Sequence, residues 1–292
     1  MQNYFIGILW FVLSLLSSSL NDIISKYVGV NLPSYEVTFF RFLFGTITLI
    51  PFIAYYGIDT LKTSRPMLHI CRGFLLFIGI AGWTYGLSIA PVTTATVVSF
   101  VIPVFVLVLG MFFLSEKILW QRWLVTILAF VGLVITLNPS ANDFNPGIWI
   151  FVLSAICFAV LDIINKIFVI QETMIGMLFY SAMMTTLFAL PFAAYNWVAP
   201  TAYEVIMLAI LGTSANLILF FLLKAFALVD ATALAPYRYF ELIISAITAY
   251  VIFDELPSQS TLLGSIILIP SALFIIYSEK NAMKNKQQEK EI

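Results

Sequence analysis

Apolar residues in this chain come in long unbroken runs, without the strict alternation of strands or the one-sided stripe of a soluble helix. A helix needs about 20 apolar residues to cross the hydrocarbon core of a bilayer. Breaking the sequence at its charged residues and at Pro, Gly and Asn leaves ten such segments: 5–27, 34–56, 67–89, 93–114, 120–138, 147–169, 173–197, 203–227, 232–253 and 258–278. The pattern therefore predicts an all-α integral membrane protein of ten transmembrane helices, with connections too short to hold a soluble domain. Pro51, Pro103, Pro191, Pro236 and Pro270 fall inside predicted helices. A bundle tolerates such prolines as kinks where neighbours or water satisfy the freed carbonyls.

Composition agrees. Of 292 residues, 62% are hydrophobic and 10% charged, too few polar groups to clothe a soluble domain of this size. The formal net charge of −1 offers no field for nucleic acid, so the expected surroundings are a lipid bilayer and no nucleic acid. The first apolar run lacks a basic leader and continues past 20 residues, which predicts a retained helix, not a cleaved signal. Cys71 and Cys157, with a single His in the chain, cannot build a cysteine/histidine metal site. They read as packing residues, and no cofactor or metal is expected.

Basic residues set the orientation. With a cytoplasmic N-terminus, the inner loops and helix ends carry Lys62, Arg65, Arg72, Lys117, Arg122, Lys166 and Lys224, and the polar tail adds Lys280, Lys284, Lys286 and Lys290. That is eleven of the 14 Lys and Arg, so both termini are predicted to be cytoplasmic, as an even helix count also requires. The expected location is an inner membrane that the chain crosses many times.

The chain also repeats itself. At an offset of 140, Phe11-Val12-Leu13-Ser14 falls on Phe151-Val152-Leu153-Ser154, and Asp22-Ile23-Ile24 with Lys26 falls on Asp162-Ile163-Ile164 with Lys166. Pro51-Phe52 with Ala54-Tyr55 falls on Pro191-Phe192 with Ala194-Tyr195. A one-residue slip then aligns Thr93 with Thr232 and Glu116 with Glu255. The predicted organisation is a five-helix repeat over 1–140, a second over 141–279, and a cytoplasmic tail at 280–292. An odd helix number inverts the second copy, and inverted repeats are the architecture of alternating access.

Charges at membrane depth are costly and usually functional. Asp22 with Lys26, and Asp162 with Lys166, are i,i+4 pairs. They read either as salt bridges closing helix ends or, being duplicated, as gates. The unduplicated charges point to a substrate: Arg41 maps onto Ser181, Arg238 onto Ser99 and Glu241 onto Ile102. Arg238 and Glu241 either neutralise each other or, with Arg41, meet the opposite charges of a zwitterionic metabolite. Trp83, Tyr85, Phe100, Tyr237 and Tyr239 are candidates for a stacking or cation–π box, against the plainer reading that each packs.

Phe39-Phe40-Arg41-Phe42, Ala90-Pro91-Val92-Thr93-Thr94-Ala95, Pro103-Val104-Phe105 and Leu114-Ser115-Glu116-Lys117 resemble the drug/metabolite transporter superfamily of EamA type. That resemblance implies ten helices in two inverted five-helix repeats, with both termini inside. A longer match, through Asn21-Asp22-Ile23, Leu61-Lys62-Thr63-Ser64-Arg65-Pro66, Trp83-Thr84-Tyr85-Gly86-Leu87, Asp162-Ile163-Ile164-Asn165-Lys166, Val229-Asp230-Ala231-Thr232-Ala233 and Ala235-Pro236-Tyr237-Arg238-Tyr239, resembles its branch that takes up S-adenosylmethionine. This implies a secondary transporter importing that substrate, with exchange for S-adenosylhomocysteine as one route. Arg41 or Arg238 would then take the carboxylate, Glu241 the cationic end and aromatics the adenine. The competing reading is a proton-coupled exporter of amino acids or related metabolites. An enzyme is not expected, because no catalytic constellation stands in the sequence. The oligomeric state stays open.

Overall fold

The computed structural model describes residues 2–90, 92–99, 101–114, 148–195 and 197–241 continuously, with isolated positions between 120 and 131 and between 244 and 270. All regular structure among them is helical. Helix α1 covers Gln2–Val28, α2 Ser34–Tyr56, α3 Pro66–Ile89, α4 Val92–Ser99 and α5 Val101–Phe113. Beyond them α6 covers Ile148–Phe168, α7 Met174–Tyr195 and α8 Ala202–Leu228. The short α9, Ala231–Leu234, passes directly into a 3-10 turn over Ala235–Tyr239. Helices α1–α3 and α6–α8 are long and apolar enough to cross a bilayer. Large apolar side chains such as Leu9, Ile50, Phe52, Phe192 and Ile206 are exposed on them, a surface suited to lipid and costly in water. The chain is an all-α, multi-spanning membrane protein.

Those six helices start and stop within a few residues of the predicted spans. Local chemistry explains the ends. Pro66 opens α3 at a position where its missing N–H costs nothing. Thr201 and Glu204 form a reciprocal capping box at the start of α8. Gly57, at φ +91°, ends α2 in a conformation other residues avoid. Pro51 and Pro191 lie inside unbroken helices.

The expected single helix at 232–253 begins differently. Pro236 has no N–H to donate, and the chain around it tightens into the 3-10 turn that carries Tyr237 and Arg238. The remainder of that span, most of the spans at 120–138 and 258–278, and the tail at 280–292 lie outside the described residues.

Packing runs between the two halves of the sequence. Helix α1 lies along α8, α3 along α6 and α2 along α7, while α2 also meets α8 and α3 also meets α7. Two of these crossings rely on glycine. A Cβ on Gly212 would collide with the Arg41 carbonyl oxygen of α2, and one on Gly73 with Met184 of α7. Small residues here bring the backbones close, the usual means of helix association in lipid.

Polar contacts tie each half to the other at both ends. After α1, Asn31 donates to Glu204 Oε1 at 2.9 Å, joining the α1–α2 loop to the start of α8. After α6, Glu172 Oε1 accepts from Thr63 Oγ1 at 2.9 Å, joining the α6–α7 loop to the approach of α3. The Arg65 guanidinium lies 4.8 Å from the Phe168 ring centroid at that same end.

Candidate functional site

A cavity opens in the centre of the bundle, between α1, α2, α3, α6, α7, α8 and the 3-10 turn. The centre of a water molecule can reach about 170 Å³ of it, where a single water needs only ~10–15 Å³. Helical periodicity builds its walls. From α1 come Ser14, Ser18, Asn21 and Asp22, and from α6 Phe158, Leu161, Asp162 and Asn165, each set stepping by three or four residues with one adjacent pair and so lying on one side of its helix.

Many lining positions recur at the repeat offset. Ser18 and Phe158, Asn21 and Leu161, Asp22 and Asp162, Arg41 and Ser181, and Phe42 and Ala182 are all wall residues 140 apart. With the one-residue slip, so are Leu76 and Ala215, Ile80 and Leu219, Trp83 and Leu222, Ser99 and Arg238, and Ile102 and Glu241. Equivalent places line the cavity from both sides, and at most of them the chemistry differs.

Three guanidiniums, Arg41, Arg72 and Arg238, and three carboxylates, Asp22, Asp162 and Glu241, reach this cavity. Two of the arginines are engaged. Arg238 Nη2 donates to Asp162 Oδ2 at 2.7 Å, and its guanidinium lies 5.7 Å from the Phe11 ring centroid. Arg72, only 1% exposed, donates from Nε to Asn165 Oδ1 at 3.0 Å and from Nη1 to the Met177 carbonyl at 3.4 Å. Its Nη1 also lies 3.2 Å from His69 Nδ1. A guanidinium can only donate, so Nδ1 accepts and the ring proton sits on Nε2, 3.6 Å from Glu172 Oε2.

Arg41 is different. It is 7% exposed, and among the described residues its guanidinium makes no hydrogen bond or ion pair. Its contact is the ring of its neighbour Phe42, 5.6 Å from the guanidinium carbon. Two of the carboxylates are held by neutral donors: Asp22 Oδ1 accepts from Trp83 Nε1 at 3.0 Å, and Glu241 Oε2 accepts from Ser99 Oγ at 3.3 Å. Arg41 and Glu241 are both close enough to Asp22 to act on it electrostatically. Asp162 and Arg238 pair with each other, and Arg72 faces Glu172 through His69. Among the described residues this leaves the Arg41 guanidinium without an ion-pair partner beside Asp22, with Glu241 in electrostatic reach of Asp22 and Arg238. That array complements a ligand with one anionic and two cationic groups.

Of the residues expected at a substrate site, Arg41, Trp83, Arg238 and Glu241 line the cavity together. Tyr85 does not: two residues from Trp83 is about 200° of helix rotation, and Tyr85 is exposed on the far side of α3. Tyr237 is buried in the core, stacked at 6.3 Å on Phe240, with its hydroxyl 3.4 Å from that of Tyr4. Phe100 and the side chain of Tyr239 lie outside the described residues. Of the expected gating residues, Asp22 and Asp162 are wall residues. Lys166 donates to the Phe226 and Val229 carbonyls at the end of α8, both at 2.8 Å. Lys26 stands at the equivalent place near the end of α1.

Arg72 was expected among the cytoplasmic basic residues and is instead a buried wall residue, because seven residues into α3 it already faces the interior. Asn21, Asn165 and Asn216 were not anticipated either. The signal was available, since an amide within an apolar membrane helix is nearly as unusual as a charge.

The family model described as "EamA-like transporter family" matches the chain twice, over residues 5–138 and 145–277. The S-adenosylmethionine uptake transporter of Rickettsia bellii is 64% identical over 98% of this chain and 98% of its own. That of Rickettsia conorii is 62% identical over 99% and 98%. A protein of solved crystal structure, 18% identical, superposes with a TM-score of 0.74 over 93% of this chain and 95% of its own, a likeness of fold.

Proposed function

The chain belongs to the EamA-like transporter family, and from that premise we propose that it imports S-adenosylmethionine across the bacterial inner membrane. The observation that carries the substrate is likeness to S-adenosylmethionine uptake transporters along almost the whole chain. The cavity suits the same molecule. S-adenosylmethionine has one carboxylate, an ammonium and a sulfonium, and among the described residues the walls offer the unpaired Arg41 guanidinium and the carboxylates of Asp22 and Glu241. In this reading Arg41 takes the carboxylate, Asp22 and Glu241 face the cationic end of the ligand, and the apolar wall with Trp83 takes the adenosine. Arg238 serves Asp162 instead of the ligand. Tyr85 and Tyr237 have no direct part.

Movement follows from the repeats. We read the chain as ten helices in two inverted five-helix units, 1–140 and 141–279, with both termini and the tail at 280–292 cytoplasmic. Three observations support this: the double match to one family model, the exchange-symmetric packing of α1 on α8 and α6 on α3, and the paired wall positions. Asp22 with Lys26 and Asp162 with Lys166 belong to the gates, Lys166 by holding α6 to the end of α8. Rocking of one unit on the other would open the cavity to each side in turn.

Labelled S-adenosylmethionine uptake into proteoliposomes tests the reading. Saturable uptake, accelerated by S-adenosylhomocysteine loaded inside and indifferent to collapse of a proton gradient, is expected of an exchanger. No S-adenosylmethionine uptake, with proton-driven amino acid movement instead, would favour the exporter.

A further inference from the structure

The cavity holds one more group whose chemistry is fixed by its surroundings. Asn216 of α8 is a wall residue beside Ala215. Its Nδ2 donates to the Gly45 carbonyl of α2 at 2.7 Å and to Thr48 Oγ1 at 3.0 Å. The Thr48 hydroxyl itself donates to the Gly45 carbonyl at 2.9 Å, so its oxygen is left to accept. Both amide protons of Asn216 are therefore used. Turning the amide over would set its oxygen against a carbonyl oxygen, so the orientation is determined by the partners. The remaining group, Oδ1, has no donor among the described residues and is not fully buried, on a residue that lines the cavity.

This oxygen and Arg41 belong to the same crossing of α2 and α8, and both residues line the cavity. Gly45 is one turn after Arg41 on α2, and Asn216 is one turn after Gly212, the glycine that packs on the Arg41 carbonyl. Among the described residues, a guanidinium with no acceptor and a locked amide oxygen with no donor thus come to the cavity from one helix crossing. In an α-amino acid the carboxylate and the ammonium are bonded to one carbon and need such a pair side by side. We propose that Arg41 and Asn216 together form a clamp for an α-amino acid, with Asn216 Oδ1 accepting from the substrate ammonium. Asp22, the next charge along from Arg41, and Glu241 beyond it then face the sulfonium. The substrate lies with its amino acid end at α2 and α8 and its sulfur toward α1 and Glu241.

The clamp rests on S-adenosylmethionine being the substrate, and the experiment separates the two. Competition against labelled S-adenosylmethionine is measured for S-adenosylhomocysteine, for its analogue without the amino group and for its analogue without the carboxylate. The panel is run on the wild type, Asn216→Ala, Arg41→Gln and Thr48→Val. In the wild type each truncated analogue should compete roughly tenfold or more worse than S-adenosylhomocysteine, because each leaves one buried partner unmatched. Asn216→Ala should erase the penalty for the missing amino group and keep that for the missing carboxylate. Arg41→Gln should do the reverse. Thr48→Val, which frees the amide without truncating it, should reduce the amino penalty partway and serves if Asn216→Ala does not fold. No amino penalty in the wild type, or an unchanged one in Asn216→Ala, overturns the clamp. Absence of S-adenosylmethionine binding by the wild type overturns the substrate instead.

Discussion

Asp22 and Asp162 occupy the same place in the two halves, each the second residue of an equivalent pair of wall positions on α1 and α6. Their partners differ. Asp162 is bound by Arg238 at 2.7 Å, whereas Asp22 is held by the indole N–H of Trp83 at 3.0 Å. An indole donates one hydrogen bond and brings no charge, and Arg41 acts on Asp22 only from a distance without an ion pair, so Asp22 keeps part of its electrostatic demand for a cation. Asp162 has its cation built in. Duplication gave two carboxylates facing one cavity. In the proposed reading, the partners around them assign one to the protein and leave the other for a ligand.

The largest contrast should come from removing each charge in turn. Asp162→Asn takes away the ion-pair partner of Arg238 and leaves only the more distant Glu241 to offset its charge, and breaking a buried pair from one side costs up to about 3–5 kcal/mol. A drop of that order in thermal stability is expected, while the double variant Asp162→Asn with Arg238→Gln should recover most of it. Asp22→Asn should leave stability nearly unchanged, since Trp83 can still donate to the amide oxygen, yet S-adenosylmethionine uptake should fall by roughly 100-fold. Equal stability losses in the two single variants would mean that the halves do not divide the roles in this way.

Charge also separates the two halves in transport. At neutral pH S-adenosylmethionine carries a net charge of +1 and S-adenosylhomocysteine none, so one-for-one exchange moves one charge inward. A potential of 100 mV, negative inside, is worth ~2.3 kcal/mol per charge. Imposing it on proteoliposomes should speed S-adenosylmethionine entry against internal S-adenosylhomocysteine, and leave homo-exchange of S-adenosylmethionine unaffected. Voltage-independent hetero-exchange would mean that a further charge travels with the substrate.

The frame was legible because lipid makes it so. Apolar length alone predicts α1–α3 and α6–α8, and the repeat offset finds the equivalence of Asp22 and Asp162 without coordinates. Partnership was not legible. The i,i+4 spacing suggested Asp162 with Lys166, but the described contacts take Asp162 to Arg238 and Lys166 to backbone carbonyls, both distant in sequence. Residue type likewise could not separate Trp83 from Tyr85, which differ only by a rotation about α3. Arg72 and Asn216 escaped for related reasons: one lay close enough to a helix end to pass for an anchor, the other carried no charge.

A smaller effect tests how far Asp22 depends on its neutral partner. Trp83→Phe keeps an aromatic ring between Phe151 and Phe158, which Trp83 meets edge-on at 5.0 and 5.7 Å. It removes the N–H from Asp22. An unsatisfied buried acceptor costs ~1–3 kcal/mol, and a bound cation can relieve that cost. Stability of the empty protein should therefore fall by about that amount, and added S-adenosylmethionine should raise the melting temperature more than in the wild type. An equal ligand-induced rise in both would show that the cation does not reach Asp22.

The smallest expected effect falls on the lysines behind these aspartates. Lys166 donates to two carbonyls at the last turn of α8, where a cation meets the negative end of the helix dipole for about 0.3–1 kcal/mol. Lys166→Met keeps the length and apolar stem of the side chain and removes the charge. If the contact only caps α8, the variant should lose that small stability and transport normally. If it is part of the inner gate, binding of S-adenosylmethionine should stay as in the wild type while the rate of exchange changes by several-fold. The same substitution at Lys26 asks the question of the outer side. A change in exchange rate confined to one lysine would carry the asymmetry of the aspartates into the gates, and a matched change in both would mean that the gates kept the symmetry that the cavity gave up.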